Sequence, residues 1–430
     1  MTIAPTTQLR ALLKIGLVAN ILEAYEFLVY VYLLSVMTQL FFASADSFTA
    51  LMQGWLLFAI SYCVRPLGSF FWGRLGDRVG RAYTVQAALF TMAIPTILIG
   101  LLPTYDQIGV WATAILLVLR CVQVFSAGGE LPGSGCYVFE ATQGKQRSIL
   151  CATVIMSSFI GYLIASLITT LLFWLFDPAT IHHWAWRIPY LLSILITIWI
   201  YRVRQSMLST VKLQDVHSPG SGEGKQPGTG QLILNKQFMV SRVLPVLVIA
   251  SFMNILSYVF TIWMPTYLVH FLHMPSKIAQ LYNTITMLAC AVFTFMAGYL
   301  SYRFGYKRLI ITHILTCVMI IYPLFQGLQG ASYTILLVTH LIFAWLPSGM
   351  WGTIIALLGD TFPQQVRALG MSLGFIVPLT LFGGITPVLL TYFTKKTALM
   401  SFPAFYIIFF GLLALLSALQ LKEPVDTRSK

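Results

Sequence analysis

Twelve long apolar stretches, almost free of charge, divide this sequence, and lipid is the only solvent in which one chain can place so many. A membrane-crossing helix needs about 20 mainly apolar residues. Stretches of that kind lie near 15–42, 51–73, 84–102, 110–138, 149–175 and 185–203. A second set lies near 239–270, 279–301, 309–327, 332–358, 368–393 and 400–421. Charged residues are 9% of the 430 and hydrophobic ones 58%, whereas a soluble domain carries about 25% charge. The expected fold is therefore all-α and integral to the membrane, with 12 transmembrane helices. The first stretch is too long for a cleaved signal peptide and is expected to be retained.

A formal net charge of +13 invites a nucleic-acid reading, but the placement of the charges argues against it. Twelve spans put both termini on one side. With that side inside, 20 of the 26 Lys and Arg residues fall on it, and four fall on the other face, Arg187 among them at a span edge. Such an asymmetry orients a membrane protein with its termini in the cytoplasm. The expected location is a bacterial inner membrane, with the bilayer and a small molecule as partners, no nucleic acid, and a monomer as the working unit. The six cysteines (63, 121, 136, 151, 290 and 317) all lie in apolar stretches without metal-ligand spacing and read as small core residues.

The one long polar interval, 204–238, contains Pro219-Gly220-Ser221-Gly222-Glu223-Gly224. Such a run cannot bury a core and reads as a flexible cytoplasmic linker. It separates an N-terminal six-helix bundle, 1–203, from a C-terminal one, 239–430. The halves echo each other. The segment from Gly73 to Arg81 follows the second span, and Gly298 to Lys307 follows the eighth. Glu140 precedes Arg147 by seven residues, as Asp360 precedes Arg367. Parallel six-helix repeats suit a carrier that rocks two bundles about a central site.

Gly73-Arg74-Leu75-Gly76-Asp77-Arg78-Val79-Gly80-Arg81 resembles the loop signature of the major facilitator superfamily. Other strings resemble its metabolite:proton symporter family, which includes proline/betaine, α-ketoglutarate, shikimate and citrate carriers. They are the segments Glu23 to Phe27, Val64 to Gly68, Arg120 to Glu130, Trp186 to Tyr190, Phe362-Pro363 with Arg367 and Gly370, and Phe382 to Pro387. The resemblance implies two six-helix bundles and alternating access. It also places Glu26 at the family's Asp position and Arg120 at a position tied to proton coupling or anion recognition. The chain departs from the pattern at Ala24 (usually Trp), Val124 (usually Gly) and Tyr302 (an Asp is expected). It also ends soon after the last span, where osmosensing carriers continue into a coiled coil.

Five ionisable residues fall at membrane depth: Glu23, Glu26, Arg65, Arg120 and Glu130. Each costs at least about 2.5–3.5 kcal/mol to insert, so each needs a partner or a wet cavity. Glu23 and Glu26 are three residues apart and share a helix face with or beside Asn20, Phe27 and Tyr30. Two carboxylates in a low dielectric resist joint ionisation, which suits proton carriage. Arg120, with Gln123 one turn on, either recognises a carboxylate or holds a span-1 Glu in a fixed pair. Glu130, between Gly128-Gly129 and Pro132-Gly133, reads equally as a proton acceptor or as the cap of a broken turn. Arg65 pairs either with Glu130 or with an organic anion.

The proton-coupling candidates are thus Glu23, Glu26, Arg120 and Glu130. The substrate-binding candidates are Asn20, Tyr30, Arg65, Arg120, Gln123, Asn254, Tyr258 and Trp345. For the residues of the second half, with Trp263 and His340, a place in the core or at the lipid interface is the commoner role of such side chains. Asp77, Arg78, Arg81, Glu140 and Arg147 are expected to form a cytoplasmic gate. Pro378, Gly383, Gly384 and Pro387 predict a bending eleventh helix. No phosphate loop, zinc pattern or catalytic triad is present, so neither enzyme activity nor a metal or other cofactor is expected beyond protons as coupling ion. The expected function is proton-coupled import of a small organic metabolite, with a carboxylate as the leading substrate. A zwitterionic osmolyte, proton-driven export and a non-transporting sensor are the alternatives.

Overall fold

The computed structural model describes residues 6–43, 46–79, 81–128, 130–208 and 236–421; the side chains of 6–15, 76–77, 81–83, 85, 130 and 204–208 fall outside this description. Most of the expected linker lies outside the described residues.

Twelve helical segments account for the apolar stretches. The first, α1, runs over Thr6–Tyr32 and continues as Leu34–Phe41 after a bend of 63°. It is followed by α2 (Ser47–Leu75), α3 (Arg81–Leu101), α4 (Val110–Ala141), α5 (Gly144–Leu175) and α6 (Ala185–Val203). The second bundle holds α7 (Lys236–Phe271), α8 (Ser276–Phe304), α9 (Tyr306–Gly327), α10 (Tyr333–Thr361), α11 (Arg367–Thr397) and α12 (Phe402–Leu419). Ten of these are long and apolar enough to cross a membrane by themselves. The bent α1 forms an eleventh span, and Gln86–Leu101 of α3 is a shorter apolar helix.

The bundles meet through pairs that the repeat relates. In the first bundle α2 packs on α11 and α5 on α8, which exchange when six is added to each number, while α1 meets α7 and α4 meets α10. Gly161 of α5 sits where a Cβ would lie 2.2 Å from the Ile21 carbonyl oxygen, so α1 and α5 touch backbone to backbone. These contacts run α1 alongside α5 in the same direction, and α8 antiparallel to both. Hence the start of α1, the α4–α5 turn, the end of α8 and the end of α12 share one face, the terminal face. On that face Lys307 donates to the Leu421 carbonyl at 2.5 Å, tying the start of α9 to the end of α12.

Loop residues explain several of the motifs. Gly305, in the turn that echoes Gly80, adopts φ 85° and ends α8, a conformation that glycine reaches without strain. Arg187 donates to the Gly100 and Leu102 carbonyls, both at 3.0 Å, and so caps the end of α3. Tyr25 donates to the Pro189 carbonyl at 2.5 Å, tying α1 to α6.

The expected bend in α11 takes a particular form. Pro378 has no N–H to give, and the ladder slips into a π-helical turn over Leu379–Gly383. A matching turn over Tyr258–Trp263 interrupts α7. Both turns flank the space between the bundles.

Candidate functional site

Between the bundles lies a cavity with about 620 Å³ of empty space, part of it continuous with solvent. Asn20, Glu23, Phe27, Tyr62, Arg65 and Tyr162 line it from the first bundle; Ser257, Tyr258, Trp351 and Phe375 line it from the second. Its only described ion pair joins Arg65 Nη2 to Glu23 Oε1 at 2.6 Å. The same Nη2 donates to the Ala127 carbonyl at 3.2 Å.

Small residues place this pair. A Cβ on Gly68 would lie 1.9 Å from the Phe125 carbonyl oxygen, and one on Gly128 would lie 2.7 Å from the Arg65 carbonyl oxygen. The backbones of α2 and α4 therefore nearly touch, which brings Ala127 within reach of the Arg65 fork. The sequence had offered Glu130 as a partner for Arg65; the observed partner is Glu23, and the Glu130 side chain lies outside the described residues.

Hydrogen bonds join the bundles around the cavity at several depths. At mid-depth the hydroxyls of Tyr62 and Tyr258 hydrogen-bond across the bundles. Towards the terminal face Ser69 meets Ser372 at 3.2 Å. Further out, Arg367 donates to Glu140 at 3.1 Å. On the opposite side Ser166 and Thr170 each meet Thr284 at 2.8 Å, and Ser35 meets His270 at 3.0 Å. Contacts between the bundles therefore lie on both the terminal side of the cavity and the opposite side.

The terminal-face contact uses the repeated motif crosswise. Arg147 donates to the Thr142 carbonyl at 2.7 Å, and Arg367 to the Phe362 carbonyl at 3.2 Å, five residues back in each case. Each arginine thus caps its own bundle's helix. Arg367 then reaches Glu140 of the other bundle, and Arg147 acts electrostatically on Asp360. Of the expected gate residues, the structure brings Glu140 and Arg147 into this cluster. Arg78 is exposed, and the side chains of Asp77 and Arg81 lie outside the described residues. Arg367 and Asp360 complete the cluster; the seven-residue echo was the signal that pointed to them.

A separate polar network runs through the first bundle behind the cavity wall. Glu26, fully buried, accepts from Ser193 at 3.0 Å, with Thr96 and Thr197 also beside it. Thr96 accepts from Gln123 at 2.6 Å, and the Gln123 oxygen accepts from Arg120 at 3.0 Å. Arg120 is fully buried and makes no ion pair among the described residues. Its Nε and Nη2 lack hydrogen-bond partners, and its charge sits 4.6 Å from the Tyr30 ring centre and 5.4 Å from that of Phe27. The fixed pair between Arg120 and a span-1 Glu, offered by the sequence, is not present; Glu23 is taken by Arg65, and Glu26 by hydroxyls.

Among the expected substrate-binding residues, Asn20, Arg65 and Tyr258 line the cavity and five others do not. Tyr30 donates to the Gly54 carbonyl at 3.1 Å, which turns it into the first bundle. Arg120 and Gln123 belong to the network just described. Asn254 donates to the Ala250 carbonyl of its own helix at 2.8 Å. Trp345 stacks on His313 with ring centres 4.3 Å apart, in a groove between α8, α9 and α10. Trp263 and His340 are core residues, held by Thr391 and by the Leu336 carbonyl. Sequence reasoning missed Tyr62, Tyr162, Ser257, Trp351 and Phe375, because aromatic and hydroxyl side chains inside apolar helices resemble ordinary core.

The architecture and a two-bundle cavity define a membrane carrier, and the comparisons with known proteins agree. The sequence profile described as Major Facilitator Superfamily matches residues 21–283, and that described as Sugar (and other) transporter matches residues 206–421. The chain belongs to the major facilitator superfamily and is a multi-pass membrane transporter. The ectoine/proline transporter ProP of Corynebacterium glutamicum is 29% identical over 98% of this chain and 86% of its own length. The proline/betaine transporter of Escherichia coli is 26% identical over 99% of this chain and 86% of its own length. Among solved structures, a D-xylose-proton symporter superposes with a TM-score of 0.73 at 16% identity, covering 98% of this chain and 99% of its own, and shows the shared fold.

Proposed function

We propose that this protein is a proton-coupled symporter that imports a small zwitterionic solute of the proline or betaine type by alternating access. The observation that carries the reading is the Glu23–Arg65 pair in an aromatic-lined cavity between the bundles. Among the described residues the cavity offers one cation and one anion, which matches a solute bearing both. The relatives, transporters of ectoine, proline and betaine, point the same way. A pure carboxylate, which the sequence had put first, finds its one cavity arginine already neutralised by Glu23. A dicarboxylate or tricarboxylate would leave charge uncompensated in a desolvated site.

Coupling in this reading runs through the Glu26 network. A carboxylate enclosed by hydroxyls and fully buried holds a proton in one conformation, and releases it when rocking admits water. Gln123 and Thr96 connect it to Arg120, whose unpartnered donors stand ready to stabilise a deprotonated carboxylate. The terminal face is cytoplasmic in this account, as the Lys/Arg asymmetry favours.

Uptake into proteoliposomes tests the proposal. An inward proton gradient is imposed, and labelled proline, betaine, succinate and citrate are supplied in parallel. Accumulation of proline or betaine that collapses with a protonophore supports it. Accumulation of succinate or citrate alone returns the carboxylate reading to first place.

A further inference from the structure

We infer that the substrate opens the Glu23–Arg65 ion pair and takes the place of each partner for the other, so that this pair sets the charge selectivity of the cavity. The inference rests on the zwitterion reading above and adds which side chains enforce it. Three observations support it. The pair lines the cavity and stands at 2.6 Å, with side chains only 7% and 11% exposed, so it is a closed, desolvated dipole in the space that a solute would occupy. Arg65 Nε is buried and lacks a hydrogen-bond partner, so the guanidinium has a donor to spare for a second carboxylate oxygen. Tyr62 flanks the pair, with its ring centre 5.9 Å from the Arg65 carbon, and Tyr162 and Trp351 add π faces to the same cavity.

The exchange follows from charge balance. Without substrate, each member compensates the other. A zwitterion places its carboxylate on Arg65 and its cation between Glu23 and the rings, so two opposite-charge contacts replace one and no charge is left bare. A lone anion would take Arg65 and cost Glu23 this ion-pair contact; a lone cation would cost Arg65 the same contact. Breaking a buried pair from one side is what makes half-matched ligands poor. Neutral solutes offer no contact that opens the pair.

An isosteric series reads this directly. Proline carries both charges, cyclopentanecarboxylate only the negative one, and pyrrolidine only the positive one. Binding to purified protein is measured by titration calorimetry at neutral pH. Wild type is expected to prefer proline over either analogue by at least about tenfold, as sites with buried polar partners reject ligands that leave them unpaired. In Glu23→Gln the proline/cyclopentanecarboxylate ratio falls by about tenfold or more, with the pyrrolidine ratio held or raised; in Arg65→Gln the pyrrolidine ratio falls instead. The double variant Glu23→Gln/Arg65→Gln removes both members of the pair together and guards against misfolding of the single variants. It is expected to lose the preference for proline over both analogues. Ratios in these variants equal to those of wild type would overturn the inference while leaving the zwitterion reading in place. Failure of wild type to bind any of the three, against binding of citrate, would overturn both.

Discussion

Glu140 on α4 and Arg367 on α11 meet at 3.1 Å across the two bundles, although the repeat places them at non-equivalent points of its motif. Each bundle carries an acid and, seven residues on, an arginine. Each arginine caps its own helix; Arg367 also contacts the other bundle's Glu140, and Arg147 acts electrostatically on Asp360. In the alternating-access proposal this cluster separates when the cavity opens on the terminal face. Two-state contacts of this kind are how rocking bundles switch.

Removing that contact should favour opening. The pair is 19% and 18% exposed, so its worth stays near the surface range of about 1 kcal/mol or less, a shift of up to about fivefold in the open fraction. Glu140→Gln should therefore speed maleimide labelling of a single cysteine placed at Ser372 in a cysteine-free background. The exchange Glu140→Arg/Arg367→Glu should restore slow labelling. Equal labelling in all three proteins would mean that the pair does not gate.

Glu26→Gln should abolish accumulation driven by a pH gradient while leaving substrate exchange between equal pools. The amide keeps the contact with Ser193 but cannot bind and release a proton. Gradient-driven uptake at the wild-type level would remove Glu26 from the coupling role.

The backbone contact behind Arg65 makes a sharper structural prediction. Gly68→Ala would place a methyl 1.9 Å from the Phe125 carbonyl oxygen, whereas a Cβ on Gly73 meets nothing within 4 Å. Gly68→Ala should lower stability by about 1–3 kcal/mol. Gly73→Ala, five residues further along the same helix, should be neutral or slightly stabilising, by up to about 1 kcal/mol. Thermal unfolding of the purified proteins in detergent distinguishes them, and equal melting temperatures would contradict the close α2–α4 approach.

Tyr62→Phe should weaken closure at mid-depth. It removes one hydrogen bond between the bundles, worth about 0.5–1.5 kcal/mol, and leaves the ring against Phe27 and Phe58. Substrate exchange should become faster and apparent affinity weaker by about two- to tenfold. Unchanged exchange kinetics would assign the tyrosine pair to packing alone.

The fold was legible because membrane-crossing helices announce themselves by length and apolarity, and the repeat of Glu140/Arg147 in Asp360/Arg367 marked the two bundles. The depth of Glu23, Glu26, Arg65 and Arg120 was legible for the same reason. Their partners were not. Which acid Arg65 meets depends on the rotation of α1, α2 and α4, and that is decided by close approaches at Gly161, Gly68 and Gly128. A sequence shows those glycines but not what they touch. Trp345 illustrates the limit from the other side. As a polar-edged aromatic in an apolar helix it resembled a cavity residue, yet six residues further on, Trp351 is the one that faces the cavity.

The central claim is that entry of a zwitterion moves protons with it. Proteoliposomes loaded with a pH-sensitive dye test it directly, with no gradient imposed and proline or betaine added outside. The account predicts that the interior acidifies as the solute enters, and that Glu26→Gln abolishes the signal. Solute entry without any proton movement in wild type would contradict it and leave a uniporter.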